Sequence, residues 1–315
     1  MTPEEEVISL FQSWTGKRPT QILSLGAHGS ARKYWRVLEG DHSFIAAWNE
    51  DLRENEAFFY YSKSLLERGV NVPEVYIVSD SRKCYLQQDL GDTTLFSLLL
   101  DKQRSGRGFD TEMLTLYKKV LDDLSTIQCV GRDLSFSYAY PRSDFDEQSI
   151  QWDLNYFKYC FLKLRHTPFD EELLERDFHN LIAYLLDTDC SYFMYRDFQS
   201  RNIMLANGAL YYIDFQGARR GAAQYDAASL LYSSKSNLPE RLFAAQTGRA
   251  VLAPTAGTAG LHLGRAAKLE ESRSMTAPTP CCLLPVACCL VRAANARPLR
   301  VSWGSWTSNP VYLAY

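Results

Sequence analysis

The chain lacks several features that would place it in a large class of proteins. None of its apolar stretches is long enough to cross a bilayer as a helix. No run of basic residues suggests binding to nucleic acid or to an anionic membrane. The first 14 residues are acidic where a secretory signal would be basic and then continuously apolar. With a net charge of −3, we therefore expect a cytoplasmic protein whose partners include neither a membrane nor a nucleic acid.

Cysteine is scarce outside one region. Four of the eight cysteines lie singly in the first 245 residues, as is typical of reduced thiols rather than of a disulfide framework. The other four form the pairs Cys281-Cys282 and Cys288-Cys289 within residues 246–315. That segment lacks Asp, Phe and Ile, carries seven basic residues against two acidic ones, and shows no sustained helix or strand period. It therefore differs in kind from the chain before it.

Three interpretations of residues 246–315 remain open. Enrichment in Pro, Gly, Ala and Thr is compatible with a disordered appendage. The paired cysteines would be ligands of a zinc site, although their spacing lacks the usual C-x2-C arms. The third interpretation is a tail that is not native to the fold before it, such as the product of a shifted reading frame. We treat 246–315 as an atypical segment of its own.

Hydrophobic periodicity divides the first 245 residues into a strand-rich part and a helix-rich part. The strand-rich part is predicted to contain helices over 3–15 and 52–68 and strands at 21–25, 34–38, 43–48, 74–78 and 83–88. The helix-rich part is predicted to contain helices over 93–103, 110–128, 146–164 and 170–186. Strands with an Asn207-Gly208 hairpin turn follow. The prediction is an α+β fold, with a small antiparallel-sheet N-lobe at 1–88 and a larger helical C-lobe at 89–245.

The strongest motif is Y-R-D-F-Q-S-R-N-I-M at 195–204, followed by Y-Y-I-D-F-Q-G-A at 211–218. Asp197 and Asn202 share a loop, and Asp214 ends the next hairpin strand, so the hairpin folds all three residues towards one edge. Phosphoryl transfer requires oxygen ligands for magnesium and a group that takes the proton of the attacking hydroxyl. We predict that Asp197 is the catalytic base and that Asn202 and Asp214 hold Mg²⁺ against the phosphates of ATP.

These segments resemble the catalytic loop H-R-D-x-x-x-x-N and the D-F-G motif of the kinases, with Tyr195 in place of the histidine and Gln216 in place of the glycine. The D-F-Q-G-A ending and Y-D-A-A-S-L-L at 225–231 are similar to the aminoglycoside phosphotransferase family, which phosphorylates small molecules on a kinase-like fold. The resemblance covers about residues 20–240. It implies a phosphotransferase with an alcohol group as acceptor. It also implies that Asp226 begins a helix that braces the catalytic loop, which is compatible with a plain N-cap role.

Two further segments, S-A-R-K-Y-W-R-V at 30–37 and Y-L-Q-Q-D-L-G-D at 85–92, are similar to bacterial kinases within this family. Those kinases act at the anomeric hydroxyl of N-acetylmuramate and N-acetylglucosamine in peptidoglycan recycling. The resemblance therefore implies a small-molecule hydroxyl acceptor, namely a cell-wall amino sugar.

The acceptor has alternatives. A kinase for choline, an aminoglycoside or another hydroxyl compound is one of them. A cationic acceptor would need an acidic cleft, for which the chain offers four acids near one helix start: Asp144, Asp146, Glu147 and Asp153. Their other interpretation is a solvated helix start favoured by the helix dipole.

On the nucleotide side, the turn at 26–30 would offer backbone N–H groups to the phosphates, unless it is an ordinary hairpin loop. Its candidate residues are Gly26, Gly29 and Ser30. Gln88 and Leu90 are predicted to flank the adenine through backbone hydrogen bonds.

The third predicted strand departs from the kinase pattern, because Trp48 stands where many kinases carry the ATP-binding lysine. Arg32 or Lys33 is predicted to supply the missing charge. Glu56 is predicted either to replace the helix glutamate that pairs with that lysine or to be an exposed surface residue. The missing lysine also leaves open a catalytically weak or inactive kinase-like module that binds nucleotide without turnover.

Overall fold

The computed structural model describes residues 1–26, 32–233 and 238. Its first element is helix α1 (Pro3–Thr15). Thr2 and Glu5 form a capping box at the start of α1, and Gly16 ends it with a φ of 74°. Val7, Leu10 and Phe11 are buried on one side of α1. The predicted amphipathic helix at 3–15 is confirmed.

The N-lobe sheet has five antiparallel strands in the order β1-β2-β3-β5-β4. The strands are β1 (Gln21–Leu25), β2 (Lys33–Glu39), β3 (His42–Trp48), β4 (Val75–Val78) and β5 (Cys84–Gln88). Ala47 of β3 lies opposite Tyr34 of β2 on one side and opposite Tyr85 of β5 on the other. Because side chains alternate along a strand, one face of the sheet packs against α1 and the other faces the rest of the molecule.

Helix α2 (Leu52–Leu66) connects β3 to β4. Its N-cap, Asp51, accepts hydrogen bonds from the backbone N–H groups of Arg53 and Glu54. The helix ends two residues before the predicted limit of 68, and Gly69 follows with a φ of 76°. Glycine at this position adopts a left-handed conformation that a residue with a Cβ atom would adopt only with strain.

The C-lobe is mainly helical. Its helices are α3 (Leu95–Arg104), α4 (Thr111–Gly131), α5 (Glu147–Phe157), α6 (Glu171–Leu186) and α7 (Gln224–Leu231). Its strands are β6 (Tyr192–Met194), β7 (Ile203–Ala206), β8 (Ala209–Tyr212) and β9 (Arg219–Gly221). The helix predicted over 146–164 is divided, because Lys158–Lys163 form a π-helical turn after α5. The sequence did not predict β9, which pairs with β6, because three residues reading R-R-G show no strand period.

The main core cluster, the largest group of buried apolar residues in mutual contact, draws its members from both lobes. Phe58 of α2 stacks on Phe215 of the C-lobe with ring centroids 5.1 Å apart. The architecture is the two-lobed, kinase-like α+β fold that was predicted. The lobe boundaries at 88 and 245 stay predictions, and the segment 246–315 lies outside the described residues. Among the helices that the structure describes, none combines the length and apolar character of a membrane span.

Candidate active site

The hairpin β7–β8 positions the ends of the predicted motif. Asn207 and Gly208 form its two-residue turn, with φ values of 51° and 77°. Two positive φ values are what the hairpin turn typical of Asn-Gly requires, so the predicted turn is confirmed. Beyond the strands, the backbone N–H of Ile213 donates to the carbonyl of Asn202 at 3.0 Å. This bond holds Asp214 beside Asn202.

The structure brings Asp197, Asn202 and Asp214 together. The amide nitrogen of Asn202 donates to the backbone carbonyl of Asp197 at 2.8 Å and to Oδ2 of Asp214 at 3.2 Å. The side chain of Gln216 donates to Oδ1 of Asp214 at 2.7 Å. Asp214 itself has a φ of 69°, a conformation that is uncommon for a residue other than glycine. Several contacts therefore hold the carboxylate of Asp214 beside the catalytic loop, although its backbone is in a strained conformation.

Asn202 and Asp214 have the chemistry of a magnesium site. Because the amide nitrogen of Asn202 faces Asp197 and Asp214, its amide oxygen is the atom suited to a cation. Within residues 1–26, 32–233 and 238, no cluster of three or more His, Cys, Asp or Glu side chains is placed to hold a metal ion. Magnesium needs no such cluster, since it is usually bound by one or two carboxylates together with substrate phosphates and water. The residues present fit Mg²⁺ that arrives with a nucleotide.

Asp197 lies in a mixed electrostatic environment. Burial, followed by the charge of Asp214, raises the pKa of Asp197 above its ordinary value, while three neighbouring arginines oppose that rise. One of them, Arg219, is only 6% exposed, and burial followed by the charge of Arg196 lowers its pKa to about 10. The guanidinium of Arg219 donates to the carbonyl of Gly217 at 3.1 Å. A carboxylate whose pKa is raised towards neutrality suits a general base.

Asp226 braces the catalytic loop. Its carboxylate accepts hydrogen bonds from the backbone N–H groups of Tyr195 (2.8 Å) and Arg196 (2.9 Å) and from the side chain of Gln128 (3.0 Å). Burial raises the pKa of Asp226 to about 7, although these donors lower it. The N-cap of α7 is Ala223, so the N-cap interpretation of Asp226 is wrong. The carboxylate lies in the first turn of the helix and contacts the loop, as the resemblance implied.

Two residues of the Y-R-D segment also have structural roles. The hydroxyl of Tyr195 donates to the carbonyl of Ile213 at 2.7 Å, which ties the catalytic loop to the residue before Asp214. Arg196, with a φ of 81°, forms a 2.7 Å ion pair with Asp153 of α5. The tyrosine that replaces the usual histidine thus still joins the two halves of the site.

The acids considered for a cationic acceptor are partly engaged. Asp153 is paired with Arg196, and Asp146 caps α5 by accepting from the backbone N–H of Ser149 at 3.0 Å. The helix-start interpretation holds for Asp146, while Asp153 stabilises the catalytic loop.

The predicted nucleotide contacts fall on several elements. Gly26 is described, whereas Gly29 and Ser30 lie outside the described residues. The backbone N–H of Gln88 donates to the carbonyl of Glu74 at 2.9 Å, so this N–H is engaged within the sheet. Leu90 is buried. The adenine contacts and the role of Gly26 stay predictions.

The sheet register corrects the prediction made for Trp48. Trp48 lies on the face that packs against α1, where its indole N–H donates to Glu6 at 3.0 Å. Lys33 is exposed on that same face, with its Nζ atom 5.6 Å from the centroid of the Trp48 ring. Ala47 is the residue of this strand end that belongs to the main core cluster. The inner position is therefore an alanine, and Lys33 does not reach the inner face because side chains alternate.

Arg32 is the cation that the structure places on the inner side. It is 2% exposed, and its Nη2 atom lies 3.5 Å from Oε1 of Glu54. Glu56 instead pairs with Arg82 at the surface with a side chain 40% exposed, so its surface interpretation holds. Sequence reasoning missed Glu54. The signal was present, because helix spacing places position 54 on the buried face of α2 that also carries Phe58, Tyr61 and Leu65.

The chain is similar to known phosphotransferases in sequence and in fold. The APH family, described as a phosphotransferase enzyme family, matches residues 22–261. An N-acetylmuramate/N-acetylglucosamine kinase of Neisseria meningitidis serogroup B is 26% identical over 219 residues, which are 68% of this chain and 62% of that protein. This chain thus spans less than two thirds of the length of that relative.

Solved structures show the same fold. A gentamicin complex of aminoglycoside phosphotransferase APH(2")-IIa superimposes with a TM-score of 0.58 at 15% identity and covers 80% of each chain. A ternary complex of APH(4)-Ia with ADP and hygromycin B has a TM-score of 0.53 at 14% identity. It covers 78% of this chain and 84% of that one.

Proposed function

This chain belongs to the APH phosphotransferase enzyme family, and from that premise we propose that it transfers the γ-phosphate of ATP to a hydroxyl group of a small molecule, with Mg²⁺ as cofactor. The observation that carries the proposal is the contact of Asn202 with both Asp197 and Asp214. It joins a carboxylate suited to a base and a carboxylate suited to a metal in one site.

Each residue has a part in the proposed reaction. Asp197 accepts the proton of the acceptor hydroxyl as the oxygen attacks the γ-phosphorus. The bond between that phosphorus and its bridging oxygen breaks, and ADP leaves. Asn202 and Asp214 would hold Mg²⁺, which supplies positive charge against the phosphates when it is bound. Tyr195 and Asp226 keep the loop in the geometry that this transfer needs.

We propose an amino sugar of the cell wall, N-acetylmuramate or N-acetylglucosamine, as the acceptor. The support is the kinase of Neisseria meningitidis, which acts on these sugars by its name. A cationic acceptor such as choline has less support, because the ion pair of Asp153 with Arg196 compensates one of the acids that would bind it. The proposed place of this reaction is peptidoglycan recycling in the cytoplasm.

The test combines a binding measurement with a turnover measurement. We expect the thermal melt of the purified chain to shift upwards with Mg-ATP, because a ligand that binds only the folded state stabilises it. We then expect ADP release and a phosphorylated product with N-acetylmuramate or N-acetylglucosamine. Choline and an aminoglycoside serve as competing acceptors in the same assay. A melt shift without turnover on any acceptor would instead indicate a nucleotide-binding module.

A further inference from the structure

The inner face of the N-lobe sheet offers no lysine at the end of its third strand. Ala47 occupies that position, and its two cross-strand neighbours are Tyr34 and Tyr85. Alanine carries no charge, so a cation on this part of the inner face has to come from another element. Phosphate recognition needs such a cation, because a kinase neutralises the charge that spreads over the transferred phosphoryl group.

Arg32 supplies its guanidinium there. Its Nη1 atom lies 3.2 Å from the hydroxyl of Tyr85, and its Cζ atom lies 5.6 Å from the centroid of the Phe58 ring. Burial by itself would lower the pKa of Arg32, but Tyr85, Tyr34 and Glu54 together raise it above its ordinary value. Arg32 therefore keeps its charge while buried.

Glu54 is oriented from two sides. Its Oε2 atom accepts a hydrogen bond from the side chain of Asn49 at 2.8 Å, and its Oε1 atom faces the guanidinium of Arg32 at 3.5 Å. The backbone of Glu54 is fixed by its N–H bond to the N-cap Asp51 at 3.2 Å. Asn49 directly follows β3, so the carboxylate is set by both the sheet and the helix that follows it.

The cluster lies beside the metal-binding side of the active site. Phe58, which Arg32 contacts, stacks on Phe215, the residue after Asp214, with the ring planes 8° apart. Tyr34 and Tyr85 both lie near enough to Asp214 and to Arg32 to sense both charges. Burial raises the pKa of each tyrosine most, the guanidinium of Arg32 lowers it, and the carboxylate of Asp214 raises it further. Arg32 and Asp214 thus approach the same pair of tyrosines.

We propose that Arg32 binds the phosphates of the nucleotide and that Glu54 is the residue that positions it. An arginine directly before the second strand would then replace a lysine at the end of the third. The inference rests on the proposed function and adds to it the origin of the cation. Arginine differs from lysine in having a planar fork of donors, which can bind two phosphate oxygens at once.

The first test uses two glutamates of one helix. We expect Glu54→Gln to raise KM for Mg-ATP about tenfold, on the scale of one lost hydrogen bond to a charged group, while KM for the acceptor stays the same. Glu56→Gln is the matched control, since Glu56 faces Arg82 at the surface, and it should change neither KM. Equal effects of the two substitutions would overturn the positioning role.

The second test asks whether Glu54 acts through Arg32. Arg32→Ala should raise KM for Mg-ATP about 10- to 100-fold. The double variant with Glu54→Gln should be no worse than Arg32→Ala alone, because the residue that Glu54 positions is gone. Fully additive effects would contradict the proposal. Circular dichroism of each variant establishes that it is folded.

The third test restores a cation by another route. Adding Ala47→Lys to Arg32→Ala places an ammonium group on the inner face, next to the space that the guanidinium leaves. We expect part of the lost Mg-ATP affinity to return, and a folded double variant without any recovery would count against the location of the phosphates.

Binding is measured by the melt shift with Mg-ATP, without any acceptor, so that the two proposals fail separately. Nucleotide binding that depends on Arg32, without phosphorylation of an acceptor, would sink only the proposed function. Turnover that is indifferent to Arg32→Ala would sink only this inference.

Discussion

The catalytic loop with its hairpin and the Arg32 cluster (Arg32, Tyr34, Glu54 and Tyr85) are built in opposite ways. In the first, Asp197, Asn202 and Asp214 lie within 18 residues and one hairpin joins them. In the second, Arg32 and Tyr85 are 53 residues apart, and the members come from the start of β2 and the residue before it, from α2 and from β5. The comparison teaches that one site can combine a motif of local spacing with a cluster that only the tertiary fold assembles.

The largest effect that would distinguish the catalytic loop from the Arg32 cluster is expected from substituting the proposed base, Asp197. Asp197→Asn keeps the shape of the side chain but cannot accept the proton, so we expect turnover to fall about 1,000-fold. The melt shift with Mg-ATP should stay, because the metal ligands and the Arg32 cluster are intact. Turnover at the level of the unmodified chain would show that Asp197 is not the base.

Asp226 is remote from the catalytic loop in sequence, and its substitution tests whether the loop depends on local residues alone. Asp226→Ala leaves the buried N–H groups of Tyr195 and Arg196 without their acceptor, so we expect the free energy of unfolding to fall by about 3 kcal/mol. Asp170→Ala is the control, because Asp170 only caps α6 and should cost about 1 kcal/mol. Chemical denaturation measures both. Equal losses would mean that the hydrogen bonds from Tyr195 and Arg196 to Asp226 contribute no more to stability than those of an ordinary helix cap.

Nucleotide binding through the hairpin should require Mg²⁺ held by Asp214, whereas the Arg32 cluster should bind the phosphates directly. Mg-ATP at one hundred times its Kd should stabilise the unmodified chain by about 2.7 kcal/mol and so raise its melting temperature. Asp214→Ala should remove this stabilisation and the melt shift that reports it. Asp189→Ala, which changes an acid 55% exposed at the surface, is the control and should leave the shift intact. A shift that survives Asp214→Ala would assign nucleotide binding to the Arg32 cluster alone.

The pH dependence of turnover reports the ionisation of Asp197 and the effect of the neighbouring charge of Asp214 on it. Since the pKa of Asp197 is raised above 3.8 and the base must be ionised, kcat/KM for Mg-ATP should fall about tenfold per pH unit on the acid side of that raised pKa. Bound metal would offset the charge of Asp214, which is one cause of the rise. The acid limb of kcat should therefore lie at a lower pH than that of kcat/KM.

Melts at each pH value separate the loss of rate from unfolding. Coincident acid limbs, or a rate that stays flat down to the ordinary carboxyl range, would contradict this account of Asp197.

The smallest effect is expected at Tyr195. Tyr195→Phe removes one hydrogen bond, to the carbonyl of Ile213, and should lower the free energy of unfolding by about 1 kcal/mol. Turnover should fall less than tenfold, because the hairpin and Asn202 still hold Asp214. A loss as large as that of Asp197→Asn would mean that the loop and the hairpin depend on this single bond.

The sequence predicted what depends on local chemistry. The Asn-Gly turn, the helix over 3–15 and the helix period of α4 are each set by residues within a few positions of one another. The juxtaposition of Asp197, Asn202 and Asp214 followed from spacing and a hairpin. Strand β9 escaped prediction because its three residues gain their structure from pairing with β6, a strand that is distant in the sequence.

The predicted nucleotide contacts of the N-lobe were harder to derive from the sequence, because they too depend on residues that are distant in the chain. Whether Ala47 or Trp48 faces inwards depends on the register and on which face α1 covers. The pairing of Arg32 with Glu54 further depends on the angle at which α2 crosses the sheet. The helix period of α2 would nevertheless have been sufficient to prefer Glu54, which the sequence analysis missed, over Glu56.

The main core cluster joins the two lobes, and this has a consequence for cooperativity. Because Phe58 packs on Phe215, the N-lobe cannot unfold without exposing apolar surface of the C-lobe. The lobes should therefore lose structure in a single transition rather than one after the other. Nucleotide bound on the N-lobe side would then protect amide hydrogens from exchange in the helices of the C-lobe, far from any atom that it contacts.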